Sequence, residues 1–379
     1  MDTIIRASDA AELLSLVPAL AGFTPVRSLV LLPFHGTRAP GVLRMDLPPG
    51  DDAVCDYVDE VLDLLAQVRG CDAIAVVVYS DEDAIHTRDG LVLPHALLID
   101  HLLGSAHDVG FHIIEGLCVL PSGWSDYLEQ EPVLHPLGEI PRVPDLPGVD
   151  VSADQRTGTE LPPADLAARQ RVGMALRDLD AVLERLRCGG AQLGSEENPQ
   201  AIGAAVMLDD IPAFAEMLLE GDDDPPPFAC AALLWCLHRP ALRDAVLVQW
   251  ASDHATGMRA FDAQLGHARR GDPTPADVGD IFLGRAGDPD PARLRRALEV
   301  ARYAVACAPR DLRPDVLASA GWLSWALGRS THADAYLRMS QQIDPEHGLT
   351  GLLLRVLESA LLPTWLMERG ERLATQVGR

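Results

Sequence analysis

Two charged side chains lie two positions apart in a short alternating segment. Residues 41–47 alternate strictly, which predicts a β-strand with Val42, Arg44 and Asp46 on one face and apolar side chains on the other. A guanidinium next to a carboxylate on such a face could orient the carboxylate of a substrate. The same pair could instead satisfy itself as a salt bridge at a sheet edge or beneath a helix, which is the commoner role of such pairs.

A second candidate site is the acidic turn that contains Ser80, Asp81 and Asp83. This turn directly follows residues 72–79, an unbroken apolar run rich in β-branched residues that predicts a central strand buried on both faces. Ligands of open α/β sheets bind at the carboxyl ends of strands, so a cation or a hydroxyl-bearing ligand would be sought here. Solvated loop carboxylates are the more frequent explanation of such a turn.

Aromatic and imidazole side chains form two further groups. Trp124 and Tyr127, three positions apart, could line a pocket near the junction between domains, although packing of the junction is the commoner role. Four histidines fall between residues 95 and 112, but their six-residue steps scatter the rings around a helix. The sequence therefore predicts no metal site.

The common signatures of catalysis and nucleotide binding are missing from the sequence. It contains no P-loop, no G-x-G-x-x-G between a strand and a helix, no G-x-S-x-G elbow, no H-E-x-x-H and no C-x-x-C pair. No cofactor is predicted, and the sequence does not identify a reaction.

Charge and composition limit the classes of partner. Asp and Glu number 56 against 31 Lys and Arg, giving a formal charge of −25, which disfavours binding to nucleic acid and to anionic membranes. Seven cysteines are scattered singly, as free buried thiols usually are. The first residues, Met1-Asp-Thr-Ile-Ile-Arg, carry an acid where a secretory signal would carry bases, and no apolar run reaches the length of a membrane span. We therefore expect a cytoplasmic protein.

The elements that must position the candidate residues read as an α/β domain over residues 1–145. Helices are expected at about 9–20, 51–68 and 94–107, and strands at 28–34, 41–47, 72–79 and 111–119, the first two strands forming a hairpin. This order predicts a mixed or mostly parallel sheet with flanking helices, and parallel pairing for at least the last two strands.

The second part of the chain reads as helical throughout. Prolines and glycines predict a linker at residues 146–163, followed by an all-α domain at 164–379. Nine helices are expected, at about 164–187, 208–220, 227–238, 240–252, 256–268, 291–307, 312–326, 330–342 and 348–360.

Small residues and a proline in the last third of the chain suggest a repeat. Gly321, Gly328, Ala333, Leu337 and Pro345 have the spacing of a tetratricopeptide helix pair. The positions where that pattern usually has tryptophan and tyrosine hold other residues. An ordinary helical bundle with the same spacing is an equal alternative.

Several stretches together resemble a known family. Residues 11–25 (AELLSLVPALAGFTP), Ser28-Leu-Val, Arg44-Met-Asp-Leu-Pro, Ala241-Leu-Arg-Asp-Ala and Ala318-Ser-Ala-Gly-Trp-Leu-Ser-Trp resemble an actinobacterial family, domain of unknown function 4192. Members often carry clustered cysteines after a Trp/Tyr segment, whereas the matching stretch here, residues 123–136, has none. The resemblance implies a fold and a cytoplasmic setting but no mechanism.

These observations leave different classes of function open. The preferred hypothesis is a protein-interaction or regulatory module that binds a protein partner through its helical domain, because repeat-like helices occur without catalytic signatures. The alternative is an enzyme acting on a small polar substrate near Arg44, Asp46 and the turn at residues 80–83. A structural homo-oligomer is a third possibility, and the sequence does not determine the oligomeric state.

Overall fold

The chain divides into two compact units. The computed structural model describes residues 7–39, 41–48, 50, 54–68, 70–88, 90–142, 153–188 and 197–368. The α/β unit comprises the residues up to Thr157 together with those from Met367 onward, and the helical unit spans Gly158–Leu366. Residues 146–152 of the predicted linker, the first residues of the predicted helix at 51–68 and the C-terminal residues 369–379 lie outside the described residues.

The α/β unit contains a five-stranded sheet, a small two-stranded sheet and three α-helices in its described residues. The helices are α1 (Ala10–Ala21), α2 (Val54–Ala66) and α3 (Ala96–Asp108). The strands are β1 (Ser28–Phe34), β2 (Leu43–Asp46), β3 (Ala73–Tyr79), β4 (Ile85–Thr87), β5 (Gly90–Val92), β6 (His112–Leu120) and β7 (Gly123–Asp126).

The main sheet is mixed, with strand order β2-β1-β3-β6-β7. β1 pairs antiparallel with β2 and β3, β6 pairs parallel with β3, and β7 pairs antiparallel with β6. The predicted hairpin, the central position of β3 and its parallel pairing with β6 are confirmed. Of the two predicted alternatives, the mixed sheet is present and the mostly parallel sheet is not. Only the β3–β6 pairing is parallel, and the other three pairings are antiparallel.

Both faces of the sheet are covered by helices. Side chains of α1 pack with Val30 and Val77 on one face. Side chains of α2 and α3 pack with Leu31 and Val76 on the other. Every residue of β3 is buried, which is why its sequence is an apolar run without alternation.

Three short strands of the α/β unit were not predicted from the sequence. β4 and β5 form an isolated antiparallel arm between β3 and α3, with Ile85 opposite Val92. β7 pairs with the end of β6 after a tight turn. Strands of three or four residues are too short for alternation to distinguish them from loop.

The helical unit contains eleven complete α-helices among its described residues, and residues 364–366 begin a further helix. The eleven helices are α4 (Leu166–Arg187), α5 (Pro199–Met207), α6 (Ile211–Glu220), α7 (Pro227–Leu237), α8 (Pro240–Trp250), α9 (His254–Arg270), α10 (Ala276–Phe282), α11 (Pro291–Cys307), α12 (Arg313–Ala326), α13 (Ser330–Ile343) and α14 (Gly348–Glu358). The nine predicted helices are present within a few residues of their expected bounds, and the short α5 and α10 were missed.

The tetratricopeptide-like pairing is not confirmed. α12 and α13 pack closely, and a Cβ atom added at Gly321 would lie 2.8 Å from the Leu337 side chain. Every residue from Pro314 to Ala326 is buried, however, whereas a helical solenoid leaves one face of its helices open. α12 is therefore a central core helix and offers no groove surface.

Two sequence-based expectations concern the whole chain. In the described residues, the helices are all too short or too polar to cross a membrane. All seven cysteines are free, but Cys55 and Cys188 are exposed rather than buried as expected.

Candidate ligand-binding cleft

A polar cleft of about 210 Å³ lies at the end of the main sheet in the α/β unit. β1 runs antiparallel to β2 and β3, so the beginning of β1 meets the ends of both neighbours, with Ser28 between Asp46 and Tyr79. The loops that leave this edge supply the walls of the cleft, which are Arg27, Leu47, Pro48, Gly50, Asp81, Glu82 and His95.

An ion pair crosses this edge of the sheet. The Nη1 atom of Arg27 lies 3.6 Å from a carboxylate oxygen of Asp81, and the two side chains are 62% and 57% exposed. The backbone N–H of Leu47 donates to the carbonyl oxygen of Arg27 at 3.1 Å, which continues the β1–β2 pairing into the cleft. The cleft thus carries fixed backbone walls and charged side chains of both signs.

Two residues of the cleft hold a backbone conformation that non-glycine residues avoid. Arg27 has φ of 47° and His95 has φ of 57°. In the described residues only Ala360 is a further non-glycine residue with positive φ. Such conformations cost about 1–2 kcal/mol each and cluster at functional sites. Their coincidence in one cleft marks it as the candidate site.

The position of His95 is fixed from both sides. Its carbonyl oxygen accepts from the N–H of Ile99 at 3.0 Å, so His95 opens α3. The hydroxyl of Tyr127 donates to the carbonyl oxygen of Pro94 at 2.7 Å. Burial raises the pKa of Tyr127, which keeps the phenol protonated as a donor. Tyr127 therefore positions the residue next to His95 without contacting the cleft.

The β4–β5 arm is rooted in the cleft at both ends. The chain leaves from Asp81 and Glu82, forms the arm, and returns to His95. The arm exposes the cross-strand pair of Ile85 and Val92. A two-stranded arm is only marginally stable by itself, so its conformation depends on its roots.

The residues of the predicted acidic turn have two different roles, since some line the cleft and others hold the turn in shape. Asp81 lines the cleft, as does Glu82. The Ser80 hydroxyl accepts from the N–H of Glu82 at 3.0 Å, and Asp83 accepts from the N–H of Ser122 at 3.0 Å. Ser80 and Asp83 thus shape the turn and tie it to the end of β6.

Arg44 and Asp46 form an ion pair with each other beside the cleft. Nε of Arg44 also donates to the Ser28 hydroxyl at 2.7 Å, and the Arg44 side chain is largely buried while that of Asp46 is exposed. Strand register separates Asp46 from Tyr79, the last residue of β3, by two inter-strand steps of about 4.8 Å. Both charged groups of the pair are already satisfied in the sheet.

Trp124 and Tyr127 do not share a pocket. Trp124 packs in the α1-covered cluster, stacked on His135 with ring centroids 4.4 Å apart, whereas Tyr127 packs in the cluster on the opposite face of the sheet. Register places Trp124 four strands from Asp46, about 19 Å away.

A comparison with known protein families identifies the chain at the family level. The family model described as "Domain of unknown function (DUF4192)" matches residues 11–273. The chain belongs to this family. No curated protein and no solved structure matches it. In this DUF4192 chain, the matched region begins in α1, ends just after α9 and includes every residue of the cleft.

The helical unit of the DUF4192 chain holds a polar network that joins His238 and Arg243, inside the matched region, to Asp315 and His347, beyond it. Nδ1 of His238 lies 2.8 Å from one carboxylate oxygen of Asp315, and Nε2 of His347 lies 3.1 Å from the other. Arg243 approaches Asp315 at 3.8 Å and also pairs with Asp244 at 2.9 Å. Burial acts to raise the pKa of Asp315, but hydrogen bonds from the two histidines outweigh it and lower that pKa.

The sequence analysis did not predict this DUF4192 network, because its members are far apart in the sequence and form no motif. His238 is separated from Asp315 by 77 residues, and His347 by 32. The two histidines each form a hydrogen bond to a different oxygen of the Asp315 carboxylate. No group of three or more histidine, cysteine or acidic side chains in the described parts of the chain could hold a metal ion.

Proposed function

We propose that the α/β unit binds a small zwitterionic molecule, of about the size of a free amino acid, in the cleft at the end of the main sheet. The observation that carries this proposal is the pair of left-handed residues, Arg27 and His95, in its walls. Strain of this kind is retained where a side chain must be held in place for a purpose other than stability.

The charges of the cleft match a zwitterion. Arg27 can bind a carboxylate, and Asp81 with Glu82 can bind an ammonium group, since both kinds of contact are charge-assisted hydrogen bonds. The Arg27–Asp81 ion pair is exposed and contributes at most about 1 kcal/mol, so a ligand can replace it at little cost. A zwitterion gives each member of the pair a new partner.

The volume of the cleft supports a small ligand. Sites for drug-sized molecules measure about 300–1,000 Å³. The cleft, at about 210 Å³, lies below that range. A dipeptide or a nucleotide would extend beyond its walls.

A protein-interaction role through the helical unit has weaker support. The repeat-like spacing of the last helices favours this role, but α12, the first helix of the predicted pair, is buried from Pro314 to Ala326 and offers no surface to a partner. The alternative of an enzyme acting on a small polar substrate would use the same cleft, with Asp81, Glu82 and His95 as the acid–base groups within reach of the ligand. Ligand binding is the step common to a binding protein and an enzyme.

Calorimetric titration of the intact protein with each standard free amino acid tests the proposal. We expect saturable binding by at least one of them and about tenfold or greater weakening in Arg27→Asn, since a charge-assisted contact is lost. Asparagine adopts the left-handed conformation readily, so this variant removes the guanidinium without disturbing the backbone.

The matched control is Arg142→Asn, which removes the same charge from an exposed arginine of the α/β unit outside the cleft. Binding should be unchanged in this variant. Equal weakening in both variants, or no binding of any amino acid at millimolar concentration, would overturn the proposal.

A further inference from the structure

The helical unit begins with a segment that is fastened across its helices. We call residues 158–165 the strap. The Tyr336 hydroxyl donates to the carbonyl oxygen of Gly158 at 3.5 Å, and Arg302 donates to the carbonyl oxygen of Glu160. At the other end, the Asp165 carboxylate accepts from the N–H of Ala168 and caps α4. Contacts at both ends therefore hold the strap in a defined path.

A second cleft, of about 390 Å³, lies under the strap. Leu161 and Ala164 pack against the core of the helical unit and turn one side of the strap inward. The cleft is lined by the strap residues Leu161, Pro162, Pro163, Ala164 and Asp165, and by Arg169 of α4, Ala306 of α11 and Arg313 of α12. Prolines fix the backbone of the strap, so this wall is preorganised.

This cleft is lined by more basic than acidic side chains, although the chain as a whole is strongly acidic. Two arginines line it, and its single carboxylate, Asp165, is occupied in capping α4. Arg313 uses Nε to donate to the carbonyl oxygen of Ala308 at 3.0 Å, which leaves its terminal nitrogens for other contacts. Within the described residues, neither Arg169 nor Arg313 forms an ion pair, although the chain has 56 acidic side chains against 31 basic ones.

We propose that the cleft under the strap binds a small organic anion, whose oxyanion group contacts Arg169 and Arg313 and whose apolar part packs against Leu161, Pro162 and Ala306. Arginine is suited to this role because its planar guanidinium matches carboxylate and phosphate oxygens. The volume lies within the range of small-molecule sites, and five of the eight lining residues are leucine, alanine or proline. The site is distinct from the cleft of the α/β unit and does not depend on the function proposed for it.

The apolar wall distinguishes an organic anion from a simple ion. A bare phosphate ion would contact the arginines and leave the apolar wall solvated, whereas an anion with a hydrophobic body would also bury apolar surface. Phenyl phosphate has both features and is a suitable probe. Inorganic phosphate and benzyl alcohol each have one of them.

Calorimetric titration of the intact protein with these three compounds tests the proposal. We expect saturable binding of phenyl phosphate, weaker binding of inorganic phosphate and no binding of benzyl alcohol. Arg169→Gln should weaken phenyl phosphate binding by about tenfold or more, because it removes a charge-assisted contact. Arg313→Gln should do the same if circular dichroism shows it folded, and Arg169→Gln keeps the test valid if it does not.

The matched control is Arg177→Gln, which removes the same charge from an exposed position of α4 that does not line the cleft. Its affinity for phenyl phosphate should equal that of the unaltered protein. The proposal is overturned if phenyl phosphate does not bind, if benzyl alcohol binds as tightly, or if Arg177→Gln weakens binding as much as Arg169→Gln does.

Discussion

The guanidinium of Arg27, immediately before β1, lies 3.6 Å from the carboxylate of Asp81, two residues after β3. Both side chains are more than half exposed, so their attraction contributes about 1 kcal/mol at most. The left-handed backbone of Arg27 costs at least as much. This corner of the sheet therefore gains no net stability from Arg27, which is why we assign the residue to ligand binding.

Relieving the backbone strain at Arg27 should stabilise the protein while abolishing ligand binding. Arg27→Gly is expected to raise the free energy of unfolding by about 1 kcal/mol, because glycine adopts positive φ without a steric cost. The same variant should lose amino-acid binding. Urea denaturation followed by circular dichroism measures the first effect, and calorimetry measures the second.

The control for this prediction is Arg177→Gly, the same substitution in the interior of α4. It should lower the free energy of unfolding by about 1 kcal/mol, since glycine is unfavourable inside a helix. If Arg27→Gly destabilises the protein as Arg177→Gly does, the backbone at Arg27 is not strained.

The buried Asp315 network should make the helical unit sensitive to acid. Hydrogen bonds from His347 and His238 lower the pKa of Asp315 below its usual 3.8 despite burial. The unfolded chain therefore takes up this proton first, and the stabilisation is lost as pH falls from about 3.8 through the lower pKa of the folded state. Asp315→Asn should cost about 3 kcal/mol near neutral pH and flatten the decline in acid.

Tryptophan fluorescence during urea unfolding at several pH values measures this effect, because five of the six tryptophans, all but Trp124, lie in the helical unit. Asp334→Asn, which removes an exposed carboxylate paired with Arg338, is the control and should change little. A parallel acid profile in Asp315→Asn and the unaltered protein would contradict the assignment.

The pKa of Glu115 in β6 should depend on the charge of Asp126 in β7. Burial raises the pKa of Glu115, and the charge of Asp126 raises it further. Burial also raises the pKa of Asp126. The folded state holds these protons more tightly than the unfolded chain, so their contribution to stability falls as pH rises above about 4. Asp126→Asn should lower the pKa of Glu115, and carbon-13 NMR titration of the carboxyl groups measures it; an unchanged Glu115 titration would refute the coupling.

The close approach of α12 and α13 should depend on a missing side chain. A Cβ atom at position 321 would lie 2.8 Å from Leu337, so Gly321→Ala should lower the free energy of unfolding by about 1–3 kcal/mol. In the background of Leu337→Ala the same change should cost much less. Gly173→Ala in α4, where a Cβ would meet open space, should instead stabilise by up to about 1 kcal/mol. Equal effects at both glycines, measured by urea denaturation, would rule out close packing at Gly321.

The spacing of apolar residues predicted most of the fold, because a long helix or strand repeats its characteristic spacing several times. β3 is an apolar run since both of its faces are covered, and α2 and α4 show helical spacing over three or more turns. The sequence did not predict β4, β5, β7 and α10, which contain three to seven residues. Elements of that length have too few positions to establish a period.

The candidate cleft was only partly predictable. Asp81 was expected at the end of β3, and it lies there. The sequence does not single out Arg27, and it presents His95 only as one of four histidines set aside as a metal site. What distinguishes both residues is a positive φ that no residue type encodes. The antiparallel return of β1, which brings Arg27 to the end of β3, likewise depends on strand pairing between distant parts of the chain.

The most direct test of the central claim is an amide NMR titration of the intact, isotopically labelled protein with each standard amino acid in turn. The account predicts that at least one amino acid shifts resonances of Arg27, Asp81, Glu82 and the first residues of α3 in a saturable manner, and that these shifts are absent in Arg27→Asn. Shifts confined to the helical unit, or no saturable shifts with any amino acid, would contradict it.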